Sequence, residues 1–142
     1  MGNSVLVISE DDVKQILTME DTLKAVEDAL REKAFNRVQM PPKTYIYFGK
    51  HHGDFRTMPS YIKRLGISGV KVVNYHPNNP QIHRKPAIMA TIILLDPKTG
   101  TPLAIIGGAT ITAMRTGAIA GVATKYLGRM ESEVLGLVGA GT

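Results

Sequence analysis

The chain has 142 residues, of which 44% are hydrophobic and 20% are charged, and its 17 basic and 12 acidic side chains give a net charge of +5. This composition is typical of one globular domain, and the absence of cysteine excludes disulfides and thiolate metal sites. The basic residues are scattered and do not line one helix, so the charge does not indicate nucleic-acid binding. The longest uncharged stretch, residues 99–114, is shorter than the roughly 20 residues of a membrane helix, and the N-terminus lacks a signal-peptide pattern. We therefore expect a cytoplasmic protein without a membrane span.

The first 36 residues predict a short strand followed by two helices. Residues 4–9 form a β-branched run, and the Ser9 hydroxyl can cap a helix over 10–17. Thr18 can cap a longer helix near 19–36 in the same way. Apolar residues recur along this longer helix at helical spacing and predict its buried stripe: Leu23, Val26, Leu30 and Ala34.

The middle of the chain predicts strands. Runs rich in β-branched and aromatic residues alternate there with glycine- and proline-containing breaks. The last two runs are mostly apolar and are joined by the turn Pro97–Gly100, so we expect a hairpin inside the sheet and not at its edge. The fold class predicted is α+β, with a mixed sheet and a long N-terminal helix. The predicted strands are 43–49, 54–62, 69–76, 86–96 and 101–108.

The pattern changes again in the last 33 residues. Residues 110–127 predict a helix capped by Thr110 or Thr112 and closed by Gly128. Two glycines inside this helix each cost roughly 1 kcal/mol relative to alanine, which indicates a close approach of backbone or ligand. Residues 132–142 predict a buried strand that ends in the glycine turn Gly139-Ala140-Gly141, a weak signal of a phosphate-binding turn when taken alone.

Four cations stand among apolar residues: Lys43, Arg56, Lys71 and Arg115. Lys71 lies between valines, where a buried ammonium is costly unless an anion pairs with it. The alternative is that Lys71 points to the solvent face of an alternating strand. If the four cations converge, they form a clamp for a carboxylate or phosphate. The histidines have no metal-ligand spacing, and Ser60 has no triad context, so we expect neither a metal site nor nucleophilic hydrolysis.

Several motifs together resemble the N-terminal half of the ornithine cyclodeaminase and mu-crystallin family, nearest to its archaeal alanine dehydrogenase branch. The motifs are "MPPKTYIYF", "GDFRTMPSY", "GVKVVNYHPNN", "DPKTGTPLAIIGGATITAMRTGAIAGVATKYLGR" and "VLGLVGAGT". The resemblance implies a substrate-binding and dimerisation domain over 1–130. It also implies that 131–142 begins a truncated Rossmann domain that binds NAD or NADP, in an enzyme that works as a homodimer.

The resemblance also implies roles for individual residues. Lys43, Lys71 and Arg115 match positions that hold the substrate carboxylate, and Lys71 either orients that carboxylate or assists proton transfer at nitrogen. Arg115 and Thr116 match positions near the nicotinamide. The turn Gly139, Ala140 and Gly141 matches the pyrophosphate site, and the general base is expected beyond residue 142.

Two departures from the family pattern bear on the substrate. Arg56 stands where the cyclodeaminases have an acidic residue suited to a distal ammonium, which disfavours ornithine because two cations repel. Ala87 stands where relatives often carry threonine near the cofactor. The expected reaction is oxidative deamination of a small amino acid, L-alanine to pyruvate and ammonia. The alternatives are an ornithine cyclodeaminase that forms L-proline, a ketimine reductase, and a non-catalytic binding protein of mu-crystallin type.

Overall fold

The computed structural model describes residues 4–139 and has the predicted α+β class. Seven strands form one mixed sheet, and the described residues also contain four α-helices and one short 3-10 helix, Gly49–His51. The strands are β1 (Leu6–Ile8), β2 (Val38–Gln39), β3 (Thr44–Phe48), β4 (Gly53–Ile62), β5 (Ile67–Tyr75), β6 (Ile88–Leu95) and β7 (Pro102–Gly107). The helices are α1 (Glu10–Ile16), α2 (Met19–Ala34), α3 (Asn79–Ile82) and α4 (Ala109–Leu127).

The order of the strands places the predicted hairpin inside the sheet. The path is β1-β7-β6-β5-β4-β2, with β3 also paired to β4. Only the β1–β7 pair is parallel, so the sheet is mixed, and β6 and β7 are interior strands as their apolar sequences predicted. The two-residue strand β2 and the short helix α3 were not predicted, because neither is long enough to establish a periodic pattern.

Both N-terminal helices begin at the predicted caps. Ser9 and Asp12 form a capping box for α1, and the Thr18 hydroxyl accepts a hydrogen bond from the backbone N–H of Asp21 at 3.1 Å in α2. The burial predicted for the apolar stripe of α2 is confirmed for only two of its four residues. Leu23 and Val26 are half-buried, but Leu30 and Ala34 are exposed, while Thr22 and Glu32 are buried.

The two buried polar residues on α2 each have a hydrogen-bond partner, one distant in sequence and one local. The carboxylate of Glu32 accepts a hydrogen bond from Arg64, with Nε and Oε1 2.6 Å apart. The Thr22 hydroxyl donates to the carbonyl of Thr18, as helical threonines commonly do. The partner of Glu32 stands 32 residues further along the chain, so helical spacing alone could not identify it.

The predicted threonine cap of α4 is wrong. The N-cap is Gly108, which offers no side chain, and the free backbone N–H groups of Ala109 and Thr110 donate instead to the carboxylate of Glu10, at 3.0 and 2.5 Å. Burial alone would raise the pKa of Glu10, but these hydrogen bonds outweigh burial and leave the pKa below its usual value. Gly107 permits the approach of α1, because a Cβ there would lie 2.6 Å from the Glu10 backbone nitrogen.

The small residues of α4 serve packing against α2. A Cβ on Gly121 would lie 3.0 Å from the Leu23 side chain of α2, so this glycine marks a close approach between two helices. Ala118 and Val122 on the same helix are buried. The close approach predicted from the sequence is therefore present at Gly121, and its partner is protein.

The segment predicted to be the first Rossmann strand has no strand structure where it is described. Residues 132–139 are irregular, and Val134, Leu135, Leu137 and Val138 are exposed. A strand requires a neighbour to accept its backbone hydrogen bonds, and the described residues do not supply one for this segment. Within 4–139, none of the helices combines the length and the apolar character needed to cross a bilayer.

Candidate functional site

Two adjoining cavities lie between the sheet and α4, and they share Lys43, Met58, Lys71 and Arg115. We call the larger one, of about 770 Å³, the main cavity. The smaller one, of about 330 Å³, is the side cavity and also contacts Arg56 and Thr116. The walls of the main cavity are otherwise largely apolar: Met40, Pro41, Pro42, Pro59 and the ring of Tyr45.

The three predicted carboxylate ligands reach this space from different elements. Lys71 lies in the middle of β5, opposite Met58 of β4 and Ile92 of β6, on the side of the sheet that α4 covers. Lys43 immediately precedes β3, and Arg115 lies in the second turn of α4. The structure therefore brings together Lys43, Lys71 and Arg115, which are separated by up to 72 residues in sequence.

Lys71 has the most perturbed environment of the three. Burial is the main cause of the fall in the pKa of its ammonium from the usual 10.5 to about 8, and the nearby charges of Arg115 and Lys43 lower it further. Its Nζ donates a hydrogen bond to the Thr112 hydroxyl at 3.2 Å. In residues 4–139, no carboxylate forms an ion pair with Lys43, Lys71 or Arg115. Such a group of cations attracts an anion, and the solvent-facing interpretation of Lys71 is wrong.

Arg56 lies beside these cations but is paired within the protein. Its Nε and Nη2 donate to the two carboxylate oxygens of Asp54 at 2.7 and 2.9 Å. The guanidinium carbon also lies 5.1 Å from the ring centre of Tyr45 and 5.8 Å from that of Tyr75. Because Asp54 compensates the charge of Arg56, the predicted repulsion between Arg56 and a substrate ammonium is weakened.

The predicted cofactor residues lie at one side of the site or beyond the described residues. Thr116 is exposed, lines the side cavity with Arg115, and donates its hydroxyl to the Thr112 carbonyl at 2.7 Å. Gly139 has φ +93°, a backbone conformation that favours glycine and that a tight phosphate-binding turn uses. Ala140 and Gly141 lie outside the described residues, as does the rest of that turn.

The histidines line a different cavity, of about 400 Å³, near α3. Within residues 4–139, the His, Asp and Glu side chains include no group of three placed to hold a metal ion. His76 stacks on Phe48 with 5.9 Å between ring centres, and this contact fits a packing role. The residues of this cavity are Lys50, His51, His52, His76, Asn78, Asn79, Ile82 and His83.

Sequence reasoning missed Thr112 as a member of the site. We predicted it only as a possible helix cap, but its hydroxyl contacts Lys71 across 41 residues of sequence. Helical spacing does place Thr112 and Arg115 on neighbouring parts of one face, three residues apart, and that signal identifies Thr112 once Arg115 is assigned.

The chain is similar to known proteins over nearly its whole length. Residues 3–142 match the family described as ornithine cyclodeaminase/mu-crystallin. An alanine dehydrogenase of Archaeoglobus fulgidus is 43% identical over 96% of this chain and 41% of its own length. A solved archaeal alanine dehydrogenase dimer with bound NAD has a TM-score of 0.84 and 41% identity, over 90% of this chain and 38% of that one.

A second solved structure that matches the chain is of a reductase. The Thermococcus litoralis Δ1-pyrroline-2-carboxylate reductase in complex with NADH and L-proline has a TM-score of 0.86 and 42% identity, over 90% of this chain and 39% of that one. The chain thus spans about two fifths of the length of the relatives it matches.

Proposed function

The chain belongs to the ornithine cyclodeaminase/mu-crystallin family, and from this premise we propose that it forms the substrate-binding part of an NAD(P)-dependent dehydrogenase acting on a small, apolar L-amino acid, alanine first. The observation that carries the proposal is the convergence of Lys43, Lys71 and Arg115 on one cavity without an internal counter-ion among the described residues. An amino acid supplies the missing anion as its carboxylate.

The walls of the cavities support an apolar side chain on the substrate. Methionine, proline and tyrosine surfaces surround the cations, and among the described residues no aspartate or glutamate lines either cavity. A diamino acid such as ornithine would leave its distal ammonium without a partner, because both oxygens of Asp54 bond to Arg56. The lack of a free carboxylate, and not repulsion by Arg56, therefore favours small apolar substrates.

Each cation has a distinct part in the proposed reaction. Arg115 can hold a carboxylate with two parallel hydrogen bonds, while Lys43 adds a point charge at the exposed mouth. Fixing the carboxylate orients Cα–H, and orientation is a large part of catalysis. Lys71, with its pKa near 8, can hold a proton at the substrate nitrogen or release one close to neutral pH.

The described residues fit a nicotinamide cofactor at the side cavity. Arg115 and Thr116 would hold its nicotinamide end, and the positive φ of Gly139 suits a turn around pyrophosphate. When bound, the nicotinamide supplies the acceptor for the hydride of Cα–H. We propose that most of the nucleotide site belongs to a Rossmann domain that starts near residue 131, where Val134, Leu135 and Leu137 would become a buried strand.

Imine reduction is the second candidate. The Thermococcus litoralis Δ1-pyrroline-2-carboxylate reductase is 42% identical to the chain and the solved archaeal alanine dehydrogenase is 41% identical. A cyclic imino acid presents the same carboxylate beside an apolar ring. The same cations and apolar walls would accept this substrate. The two candidates differ in the substrate that is turned over, so an assay separates them.

The first test measures binding and turnover together. We expect the 142-residue chain to bind pyruvate, detected by NMR titration, and to leave NADH fluorescence unchanged, while a chain extended through the Rossmann domain binds NADH. The extended protein should turn over alanine faster than ornithine in an NAD-linked assay. Faster reduction of Δ1-pyrroline-2-carboxylate would select the second candidate. Binding of NADH and carboxylates without any turnover would favour a binding protein of mu-crystallin type.

We also propose that the chain forms a homodimer through the sheet face opposite Lys71. The pairing register places an apolar row across four strands of that face. Two members of the row, Val7 and Ile105, are 70% and 40% exposed, and a second copy would bury them. The row is Val7, Ile105, Ile93 and Val70.

Substitution of Ile105 by glutamate tests this interface. The introduced charge would lie in an apolar contact, so Ile105→Glu should convert a dimer into a monomer in sedimentation equilibrium. Leu30→Glu is the matched control, because Leu30 is 42% exposed but lies on α2, away from the sheet face. A wild-type chain that is monomeric, or a dimer that survives Ile105→Glu, would contradict the assignment of this face.

A further inference from the structure

The contact between Lys71 and Thr112 joins the sheet to α4 inside the proposed substrate site. Nζ of Lys71 donates to Oγ1 of Thr112 at 3.2 Å, and both side chains are half-buried. Thr112 lines the side cavity together with Lys71. An ammonium has three N–H donors. One of them is directed at Thr112, and the other two remain for a bound ligand.

The position of Thr112 is fixed from several directions. Its backbone N–H donates to the carbonyl of Gly108 at 2.9 Å, and its own carbonyl accepts the hydroxyl of Thr116. The first turn of α4 is in turn held by the carboxylate of Glu10, which accepts from Ala109 and Thr110. The hydroxyl therefore presents its oxygen to Lys71 from a constrained piece of helix.

The charges around Lys71 make the Thr112 hydroxyl important for the position of the Lys71 amino group. The titratable side chains that line the two cavities with Lys71 are Lys43, Tyr45, Arg56, Tyr75 and Arg115. Asp54 compensates Arg56, so Lys71 faces two uncompensated cations and two phenols. Among the described residues, Thr112 is the hydrogen-bond partner found for Nζ. Without it, repulsion by Lys43 and Arg115 would decide where the amino group points.

A hydroxyl has a property here that a carboxylate lacks. Its oxygen accepts from the ammonium form of lysine, and its hydrogen can rotate to donate to the lone pair of the neutral amine. The contact can persist while Lys71 gains or loses a proton. A carboxylate cannot donate to that lone pair; it would bind the charged form much more strongly and would hold the proton on Lys71.

We propose that Thr112 is a positioning residue that keeps Nζ of Lys71 aimed into the cavity in both protonation states. The proposal rests on the proposed function in that Lys71 holds or moves a proton at the substrate nitrogen. Thr112 itself does not touch the reacting atoms and acts through Lys71.

The test compares Thr112→Val with Thr112→Ser, and Thr124→Val is the matched control. Thr124 lies on the same helix and donates its hydroxyl to the carbonyl of Ala120, away from Lys71. The pKa of Lys71 in the 142-residue chain is measured by lysine side-chain NMR, with the signal assigned through Lys71→Arg. The hydrogen bond to the charged ammonium is stronger than the one to the neutral amine, so its loss in Thr112→Val should lower the pKa of Lys71 by about 1. Serine should restore the wild-type value, and Thr124→Val should not change it.

A second measurement uses the extended protein. The limb of the kcat/KM pH profile that reports Lys71 in the free enzyme should move down with Thr112→Val by the same amount, while KM for the amino acid changes less than kcat. Thr112→Ala gives the same comparison if valine disturbs the helix. An unchanged pKa of Lys71 in Thr112→Val, or serine failing to restore it, overturns the proposal. If the pKa moves as expected but no amino acid is turned over, the proposed function fails and the positioning of Lys71 by Thr112 stands.

Discussion

Replacing Lys71 with methionine should lower kcat/KM of the extended protein for its amino acid by about a thousandfold. Methionine has a similar length but removes both a cation that faces the carboxylate and the group that holds a proton near nitrogen. The substitution should also weaken binding of pyruvate to the 142-residue chain. Steady-state kinetics in an NAD-linked assay and NMR titration with pyruvate measure the two effects separately.

Lys63→Met is the control for this loss of activity. Lys63 lies in the exposed turn between β4 and β5, so its removal changes the net charge by the same amount without touching the cavity. We expect a change in kcat/KM of less than about twofold, because exposed charges at a distance are screened by salt. If Lys71→Met keeps both pyruvate binding and turnover near wild type, Lys71 has no part in the reaction and the clamp must be reassigned.

The same Lys71→Met substitution should stabilise the fold. Burial and the neighbouring cations lower the pKa of Lys71 from the usual 10.5 to about 8 in the folded chain. A difference of this size corresponds to at most about 3 kcal/mol that the folded state loses by keeping this ammonium charged, and solvent reduces that cost because the side chain is only half-buried. Methionine removes that cost, so the free energy of unfolding should rise by up to about 3 kcal/mol below pH 8.

The stability gained by Lys71→Met should depend on pH in a direction that the pKa of Lys71 determines. Between pH 8 and 10.5 the unfolded chain binds more protons at Lys71 than the folded chain does. The contribution of Lys71 to the free energy of unfolding of the wild type therefore increases with pH in this range. The advantage of Lys71→Met is therefore greatest below pH 8 and shrinks as the pH rises to 10.5. Urea denaturation of both proteins from pH 6 to 10.5 measures the difference. A difference in the free energy of unfolding that stays constant with pH would mean that Lys71 is not the perturbed group. Lys63→Met is the reference, because its difference from the wild type should not depend on pH.

The two effects of Lys71→Met have one physical origin. A lysine placed among apolar strands and beside two other cations is unfavourable for the folded chain, and a bound carboxylate relieves the same repulsion. Loss of binding together with a gain in stability is typical of residues retained for function. If Lys71 had a structural role, its replacement would lower the free energy of unfolding of the chain.

The sequence by itself determined the elements that depend on neighbouring residues. Ser9 and Thr18 start α1 and α2 because each hydroxyl bonds a backbone N–H three residues away. The strands of the central sheet follow from their β-branched and apolar runs. Lys71 and Arg115 stood out because a cation within an apolar or small-residue segment requires a reason, and the motifs around them placed the chain in its family.

Only the tertiary structure decided which groups meet across the chain. Glu10 caps α4 from 99 residues away, Arg64 donates a hydrogen bond to the carboxylate of Glu32, and Lys71 donates one to Thr112. Arg56 and Asp54 are two residues apart, yet sequence did not predict their pairing, because alternation in a strand puts both on one face without fixing their rotamers. Local periodicity determines which side of an element a residue occupies. The charges, hydrogen-bond partners and burial that it meets there depend on how distant elements pack.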